Sequence, residues 1–295
     1  MSYYACFDIG GTAIKYGLAD GRGQFLTTGE VPTEVQTKGV DQIVAKLQGV
    51  INEYRQRCEV VGVAVATAGM VEPVSGTIAC AGNNFPGYTG FPLGGAITQA
   101  TGLACSVAND VNAFGLGEYW LGSGRGSVGL VCLTFGTGIG GCMLFDGKLI
   151  QGSSFSAGEV GYQRIDGEST WEEQASVSAL IKKVATAKRV PVATLDGRQI
   201  FHLAKAGDKA VVPILQDMVE AWAVGIANIC YILNPDRVIV GGGIMAEQAY
   251  LEPLLREALK DKLIPYVYDK TQVVFSTMGS KAILAGALYN FLQRH

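Results

Sequence analysis

Four segments of this chain combine small residues with acids or hydroxyls in patterns suited to phosphate chemistry. In Asp8-Ile9-Gly10-Gly11-Thr12 a glycine pair sits at what reads as a hairpin tip. Glycines there permit φ > 0 and let successive N–H groups converge on an anion. Thr12 adds a hydroxyl donor, and Asp8, at the preceding strand end, suits Mg²⁺ held through retained waters. Taken alone, the pattern also fits an ordinary hairpin with a surface aspartate. Gly136-Thr137-Gly138-Ile139-Gly140-Gly141 repeats the device, and Gly241-Gly242-Gly243 follows a strand as a third glycine turn. The fourth segment, Val107-Ala108-Asn109-Asp110-Val111-Asn112, carries an Asn-Asp pair from an apolar strand into a helix start. A carboxylate is favoured beside the partly positive helix terminus and can take the proton of an attacking hydroxyl during phosphoryl transfer. Asp110 can equally be that helix's cap.

Alternating elements must position these residues. Apolar, β-branched runs at Tyr4–Phe7, Val60–Ala66, Val128–Leu133 and Arg237–Val240 read as strands. Between them Ile43, Leu47, Val50, Ile51 and Tyr54 recur at helical spacing behind Asp41 as N-cap, and a long helix is expected from about Pro213 to Leu233, stopped by Asn234-Pro235-Asp236. Such alternation predicts an α/β fold. The first two glycine hairpins suggest two halves of similar design, with a boundary near residue 118. The chain has 295 residues, a length that favours two domains, and its 40 glycines compare with about 21 at average usage. With only 9 prolines and no three-residue period, collagen and linker compositions are excluded.

A net charge of −3 without a basic block argues against nucleic acid. No basic, apolar leader precedes Asp8, so a cytoplasmic protein is expected. The uncharged run Val128–Phe145 is long enough for a membrane span, but its central glycines favour two strands around a turn. Seven unclustered cysteines read as reduced core thiols. Of the two histidines, His295 ends the chain and His202 looks like a helix-packing residue. There is no G-x-x-x-x-G-K-[ST] loop and no G-x-G-x-x-G dinucleotide fingerprint.

The three glycine turns resemble the phosphate, second-phosphate and adenosine segments of the actin-like ATPase superfamily. More specifically, Asp8-x-Gly10-Gly11-Thr12-x-x-Lys15, Asn109-Asp110, Gly136-Thr137-Gly138-x-Gly140-Gly141, Asn234-Pro235-Asp236 before Gly241-Gly242-Gly243, and Ala285-Gly286-Ala287 occur in the order of the ROK family of bacterial sugar kinases and related repressors. The resemblance implies two actin-like (ribonuclease H-like) α/β domains flanking a catalytic cleft. Residues 1–118 would form the sugar and phosphate domain, completed by the helix 281–295, and residues 119–280 the nucleotide domain. It implies Asp110 as catalytic base. Gly69, Asn84 in Asn83-Asn84-Phe85-Pro86-Gly87-Tyr88, Asn109, Glu159 and Glu172 would contact sugar. Asp8, Gly10, Gly11, Thr12, Lys15, Gly136, Thr137, Gly138, Gly241, Gly242 and Gly243 would hold ATP, with Mg²⁺ near Asp8, and the protein would be a homodimer.

Two departures qualify the match. Many family members have histidine at the position of Tyr162, followed by a cysteine-rich segment that binds structural zinc. Here Gln163-Arg164-Ile165-Asp166-Gly167-Glu168-Ser169-Thr170 follows, with all four ligands missing, so no zinc is expected. Zinc-free relatives, including β-glucoside kinases, share Gly-Glu-x-Gly-Tyr. The second sugar glutamate aligns with Glu172, and Glu173 is the alternative. The expected activity is phosphorylation of a hexose at O6, of the glucose or N-acetylmannosamine class, with a β-glucoside as alternative. A sugar-sensing repressor would need a DNA-binding segment ahead of Asp8, for which the sequence has no room.

Overall fold

The computed structural model describes residues 2–82 and 85–295. Two compact units divide the chain: residues 1–125, 151–156 and 280–295 form the first, and residues 126–150 and 157–279 the second.

In the first unit, β1 (Tyr3–Ile9) turns directly into β2 (Ala13–Asp20), which pairs with β3 (Phe25–Pro32). The short helix α1 (Val35–Lys38) leads to α2 (Asp41–Arg55), which buries Ile43, Leu47, Val50, Ile51 and Tyr54, the residues whose 3.6-residue spacing marks it in the sequence. Asp41 is the first helical residue rather than the cap; Val40 holds the cap position without a side-chain bond. β4 (Val60–Thr67) lies parallel to β1 and is buried along most of its length, as its unbroken apolar run requires. The small hairpin β5 (Met70–Glu72) and β6 (Thr77–Cys80), helix α3 (Leu93–Thr101), strand β7 (Ala104–Asn109) and helix α4 (Asp110–Leu121) follow. The sheet order is β3-β2-β1-β4-β7.

The second unit repeats the plan. β8 (Gly129–Phe135) and β9 (Ile139–Phe145) form an antiparallel hairpin, so the uncharged run is two strands around the glycine turn. Among the described residues no helix is long and apolar enough to cross a membrane. After β10 (Lys148–Leu149) come α5 (Trp171–Ala175), α6 (Val177–Lys188), α7 (Gly197–Lys205) and α8 (Val211–Leu233). α8 begins two residues before Pro213, which its first turn tolerates. On α7, Phe201 and Ala204 are buried whereas His202 is exposed, so the histidine does not pack. β11 (Arg237–Gly241), α9 (Gln248–Lys262), α10 (Pro265–Lys270) and β12 (Gln272–Phe275) complete a sheet ordered β10-β9-β8-β11-β12. Its core gathers Phe135, Trp171, Phe201 and Trp222.

α11 (Lys281–Leu292) belongs to the first unit and packs on α4. The two helices approach at glycines: a Cβ on Gly286 would lie 1.7 Å from the Ala113 carbonyl oxygen, and one on Gly117 1.9 Å from that of Ala282. This contact fixes α4, and with it the strand-to-helix junction that carries Asp110.

Candidate active site

At the end of the first unit's central strands, Asp8 sits in β1 opposite Lys15 of β2. The turn between them is held by Gly10 N–H donating to the Ala13 carbonyl at 3.1 Å and by the Thr33 hydroxyl donating to the Gly10 carbonyl at 2.5 Å. Gly11 and Thr12 are exposed at its tip. Positive φ occurs at Gly69, Gly158 and Gly242 but not at Gly10, Gly11, Gly136 or Gly138. The expected left-handed backbone at the two hairpin tips is therefore absent, and what glycine supplies there is space. Among the described residues nothing lies within 4 Å of a Cβ built on Gly136, and only the Phe85 ring, at 3.9 Å, approaches one on Gly11.

Asn109 and Asp110 divide the work at the start of α4. Asn109 Oδ1 accepts from the N–H groups of Val111 (2.9 Å) and Asn112 (3.0 Å), so Asn109 is the cap. Its Nδ2 donates to the Gly69 carbonyl and to Asp110 Oδ1, both at 3.0 Å. Asp110 is the first helical residue, and Oδ1 also accepts from Val111 N–H at 2.9 Å. Burial lifts its carboxyl from 3.8 to about 6, and the Asp8 charge pushes the same way, against the hydrogen bonds from Val111, its own N–H and Asn109. Burial likewise lifts Asp8 to about 6, opposed by Lys15. Two neighbouring desolvated carboxylates fit a divalent cation that keeps waters and phosphate oxygens as its other ligands. Among the described residues no group of three or more His, Cys, Asp or Glu gathers as a protein cage for a metal.

The sugar residues expected in this unit are Gly69, Asn109 and Asn84. Gly69 has φ +97°, and a Cβ there would lie 2.7 Å from the Cys80 carbonyl. Asn84 lies outside the described residues. Beside it, Phe85, Tyr88 and Phe91 stack in series, and the Tyr88 hydroxyl is 2.8 Å from Thr67 Oγ1.

In the second unit, Gly136 and Thr137 share a cavity of about 550 Å³ with Gly243. Val177, Ile181, Phe201 and Ile244 give it apolar walls, while Asp196 and Arg198 supply polar groups. Its size and mixed lining are those of a small-molecule site. Gly241 ends β11 and Gly242, with φ +102°, turns the chain against β8, where a Cβ would lie 2.3 Å from the Phe135 carbonyl oxygen. Asp196 and Arg198 escaped the sequence reading. Asp196-x-x-Gln199 is nonetheless a visible capping box, and the structure forms it at the start of α7.

Glu159 precedes a 3₁₀ turn, Val160–Tyr162, and Glu172 lies in α5. Glu172 packs against glycines of the second turn and of the 3₁₀ turn. Glu172 Oε2 accepts from Ile139 N–H of the second glycine turn at 3.3 Å, and a Cβ on Gly161 or Gly138 would lie 3.1 or 2.6 Å from that oxygen. Glu173 is exposed and closes a capping box with Thr170: Thr170 N–H donates to Glu173 Oε2 at 2.8 Å, and Glu173 N–H donates to Thr170 Oγ1 at 3.3 Å. Residues 163–174, where the sequence reading expects no zinc, are tied by hydrogen bonds. Trp171 N–H donates to the Gln163 carbonyl at 2.7 Å, Arg164 bridges Thr170, and the Gln174 amide donates to Asp166 and to the Ser169 carbonyl. Fully buried Trp171 anchors the segment, and Gly225 of α8 leaves room for its ring.

The model of the ROK family matches residues 4–294. The chain belongs to the ROK family. Similar ROK sequences include a β-glucoside kinase of Listeria monocytogenes, 31% identical, with 98% of this chain and 97% of the relative covered. Among solved structures, Lmo2764 of Listeria monocytogenes, a candidate N-acetylmannosamine kinase, superposes with a TM-score of 0.87 at 30% identity, covering 99% of both chains. A ROK glucokinase from Streptomyces griseus, solved with glucose and AMPPNP, gives 0.82 at 28% identity over 97% of this chain and 98% of that one. This ROK chain thus has the actin-like ATPase fold of the family's sugar kinases.

Proposed function

We propose that this ROK protein is an ATP-dependent sugar kinase that transfers the γ-phosphoryl group to the 6-hydroxyl of a hexose-type sugar, with Asp110 as general base. The observation that carries the reading is the division of labour at α4. Asn109 takes the capping bonds, so Asp110 is not needed for them and stands as a desolvated carboxyl beside Asp8. Such a group, with its pKa near 6, is ionised at neutral pH yet basic enough to accept a hydroxyl proton.

Asn109 fixes the Asp110 carboxylate through its amide and ties it to the Gly69 loop. Gly10, Gly11, Thr12 and Lys15 in the first unit, and Gly136, Thr137 and Gly138 in the second, hold the phosphates. The cavity walled by Val177, Phe201 and Ile244, with Gly243 at its edge, takes the adenosine, and Gly241 and Gly242 turn the chain into it. Mg²⁺ held through water by Asp8 would neutralise charge on the phosphates. Glu159, Glu172 and Asn84, with Gly69 and Asn109, orient the sugar, so that positioning and electrostatics supply most of the rate. The sugar is of the glucose or N-acetylmannosamine class; a β-glucoside is the second reading, favoured by the similarity to a β-glucoside kinase and by the exposed Tyr162.

ATP consumption measured with a panel of sugars, followed by NMR assignment of the phosphorylated carbon, tests this. Phosphate on carbon 6 and loss of turnover in Asp110→Asn are expected. Full turnover in that variant removes Asp110 from the base role, and no ATP consumption with any sugar removes the kinase reading.

A further inference from the structure

The last residue of β4, Thr67, lies in register between Ile9 of β1 and Asn109 of β7. Those neighbours flank the two acids, since Ile9 follows Asp8 and Asn109 precedes Asp110. Thr67 thus occupies the middle of the row of strand ends that carries both carboxylates. On the same face of β4, Val63 and Val65 are apolar and belong to the core of this unit. Thr67 is a hydroxyl, yet it is just as fully buried. Its partner is the hydroxyl of Tyr88, also fully buried and 2.8 Å away. Thr67 Oγ1 lies 3.4 Å from the Ala68 carbonyl as well. With Tyr88 donating to Thr67 and Thr67 donating to Ala68, both hydroxyl protons are used. Burial pushes the Tyr88 hydroxyl well above the usual tyrosine pKa, so it keeps its proton for this bond.

The pair is two residues from the catalytic junction. After Thr67 and Ala68 comes Gly69, whose carbonyl accepts from Asn109 Nδ2 at 3.0 Å, and the same Nδ2 donates to Asp110 Oδ1 at 3.0 Å. Tyr88 is itself tightly held. Its N–H donates to the Phe85 carbonyl at 3.2 Å, and its carbonyl accepts from Phe91 N–H at 3.0 Å. Its ring stacks on Phe85 and on Phe91, with centroids 5.0 and 6.2 Å away. Apolar packing is non-directional, whereas a hydrogen bond weakens steeply off its axis. A bond from so constrained a ring therefore sets the place of Thr67 more sharply than a valine packed on a phenylalanine would.

We propose that Tyr88 is a positioning residue: by holding Thr67 it sets the Gly69 carbonyl, which orients Asn109 and through it the Asp110 carboxylate for phosphoryl transfer. The proposal rests on the sugar-kinase reading and deepens it. Tyr88 acts through Thr67 and Asn109, so its loss falls on kcat and leaves ATP binding alone.

The test compares kinetics and urea unfolding of the unaltered protein, Tyr88→Phe, Thr67→Ser, Thr67→Val and the double variant Tyr88→Phe/Thr67→Val. The substrates are ATP and whichever of glucose, N-acetylmannosamine and cellobiose the unaltered protein phosphorylates fastest. Thr67→Val leaves the buried Tyr88 hydroxyl without a partner and should be destabilised; the double variant leaves no such group and should recover most of the loss. Turnover separates positioning from mere support. It should fall about tenfold in Tyr88→Phe, in Thr67→Val and equally in the double variant, the order expected when a catalytic group is slightly misplaced, with the KM for ATP unchanged. Thr67→Ser keeps the hydroxyl but loses a buried methyl group, so it should be less stable and still turn over at the unaltered rate. A kcat in the double variant equal to that of the unaltered protein, or a kcat that tracks stability across the variants, overturns the proposal and leaves the kinase reading standing. The double variant carries this test alone if a single variant fails to fold. No phosphorylation of any of the three sugars by the unaltered protein counts against the kinase reading, and the proposal falls with it.

Discussion

Replacing Asp110 by asparagine should abolish turnover and stabilise the protein at the same time, and the second effect depends on pH in a way the structure specifies. Asn keeps an oxygen to accept from Val111 N–H and Asn109 but carries no charge. The Asp110 carboxyl is raised from 3.8 to about 6 by burial first and by Asp8 second. A carboxyl whose native pKa exceeds its unfolded value binds its proton more tightly in the native state. Its contribution to stability is fully present below 3.8, is lost as pH rises to about 6, and stays lost above. A shift of about 2 units corresponds to about 3 kcal/mol at 1.36 kcal/mol per unit. Because Asp110 is only partly buried, solvent screening reduces this to about 1–2 kcal/mol. The variant should therefore melt about 2–6 °C higher than the unaltered protein at pH 8, and the difference should shrink as pH falls through about 6 and vanish by about pH 3, below 3.8, where the carboxyl is neutral in the folded and unfolded chains alike. Loss of the Asp110 charge also relieves Asp8, so the two titrate as a pair and the transition reports both. Turnover should drop about 100- to 10,000-fold. A lower melting temperature at pH 8, or the same difference at both pH values, would refute the electrostatic reasoning.

Three further substitutions and one metal test probe other parts of the structure. Gly286→Ala places a methyl group 1.7 Å from the Ala113 carbonyl oxygen and should cost about 3 kcal/mol or more in urea unfolding, by forcing α11 from α4; near-native stability would show that the helices are not packed at this glycine. Gly242→Ala meets both φ +102° and the Phe135 carbonyl, so it should lose about 1–3 kcal/mol of stability and weaken binding of a non-hydrolysable ATP analogue in calorimetry, unlike the exposed Val74→Ala. Thr170→Ala breaks the capping box before Glu172; it should cost about 1 kcal/mol and raise the KM for sugar more than that for ATP. Metal analysis of the purified protein should find no stoichiometric zinc, and phenanthroline should leave its melting temperature unchanged; one zinc per chain would contradict the hydrogen-bonded loop as the support of residues 163–174.

Much of this architecture was legible in the residues because it depends on local rules. Continuous apolar, β-branched runs became β1, β4, β8 and β11, and the helical spacing from Ile43 to Tyr54 became the buried face of α2. Glycine-hydroxyl clusters became the turns between β1 and β2 and between β8 and β9. The choice between Glu172 and Glu173 as a free carboxylate was also latent, since Thr170-x-x-Glu173 is a capping-box pattern. In the structure Glu173 is spent on the cap and Glu172 faces the glycine turn.

Tertiary structure decided the rest, through distances between residues far apart in the chain. No local pattern tells whether Asn109 or Asp110 caps α4, or that the Asp110 carboxyl is desolvated. That follows only when Asn109 reaches Val111, Asn112 and Gly69 together, and when β1 brings Asp8 close enough to raise the Asp110 pKa. The purpose of the glycines likewise changed from backbone freedom to space at Gly138 and Gly141, where a Cβ would meet Glu172 Oε2 and the Gly158 carbonyl. Sequence determined which residues can do phosphoryl chemistry and in what order they occur. Only the packing of strands and helices, by setting desolvation and contact distance, determined which of them carry the charge and which hold the backbone.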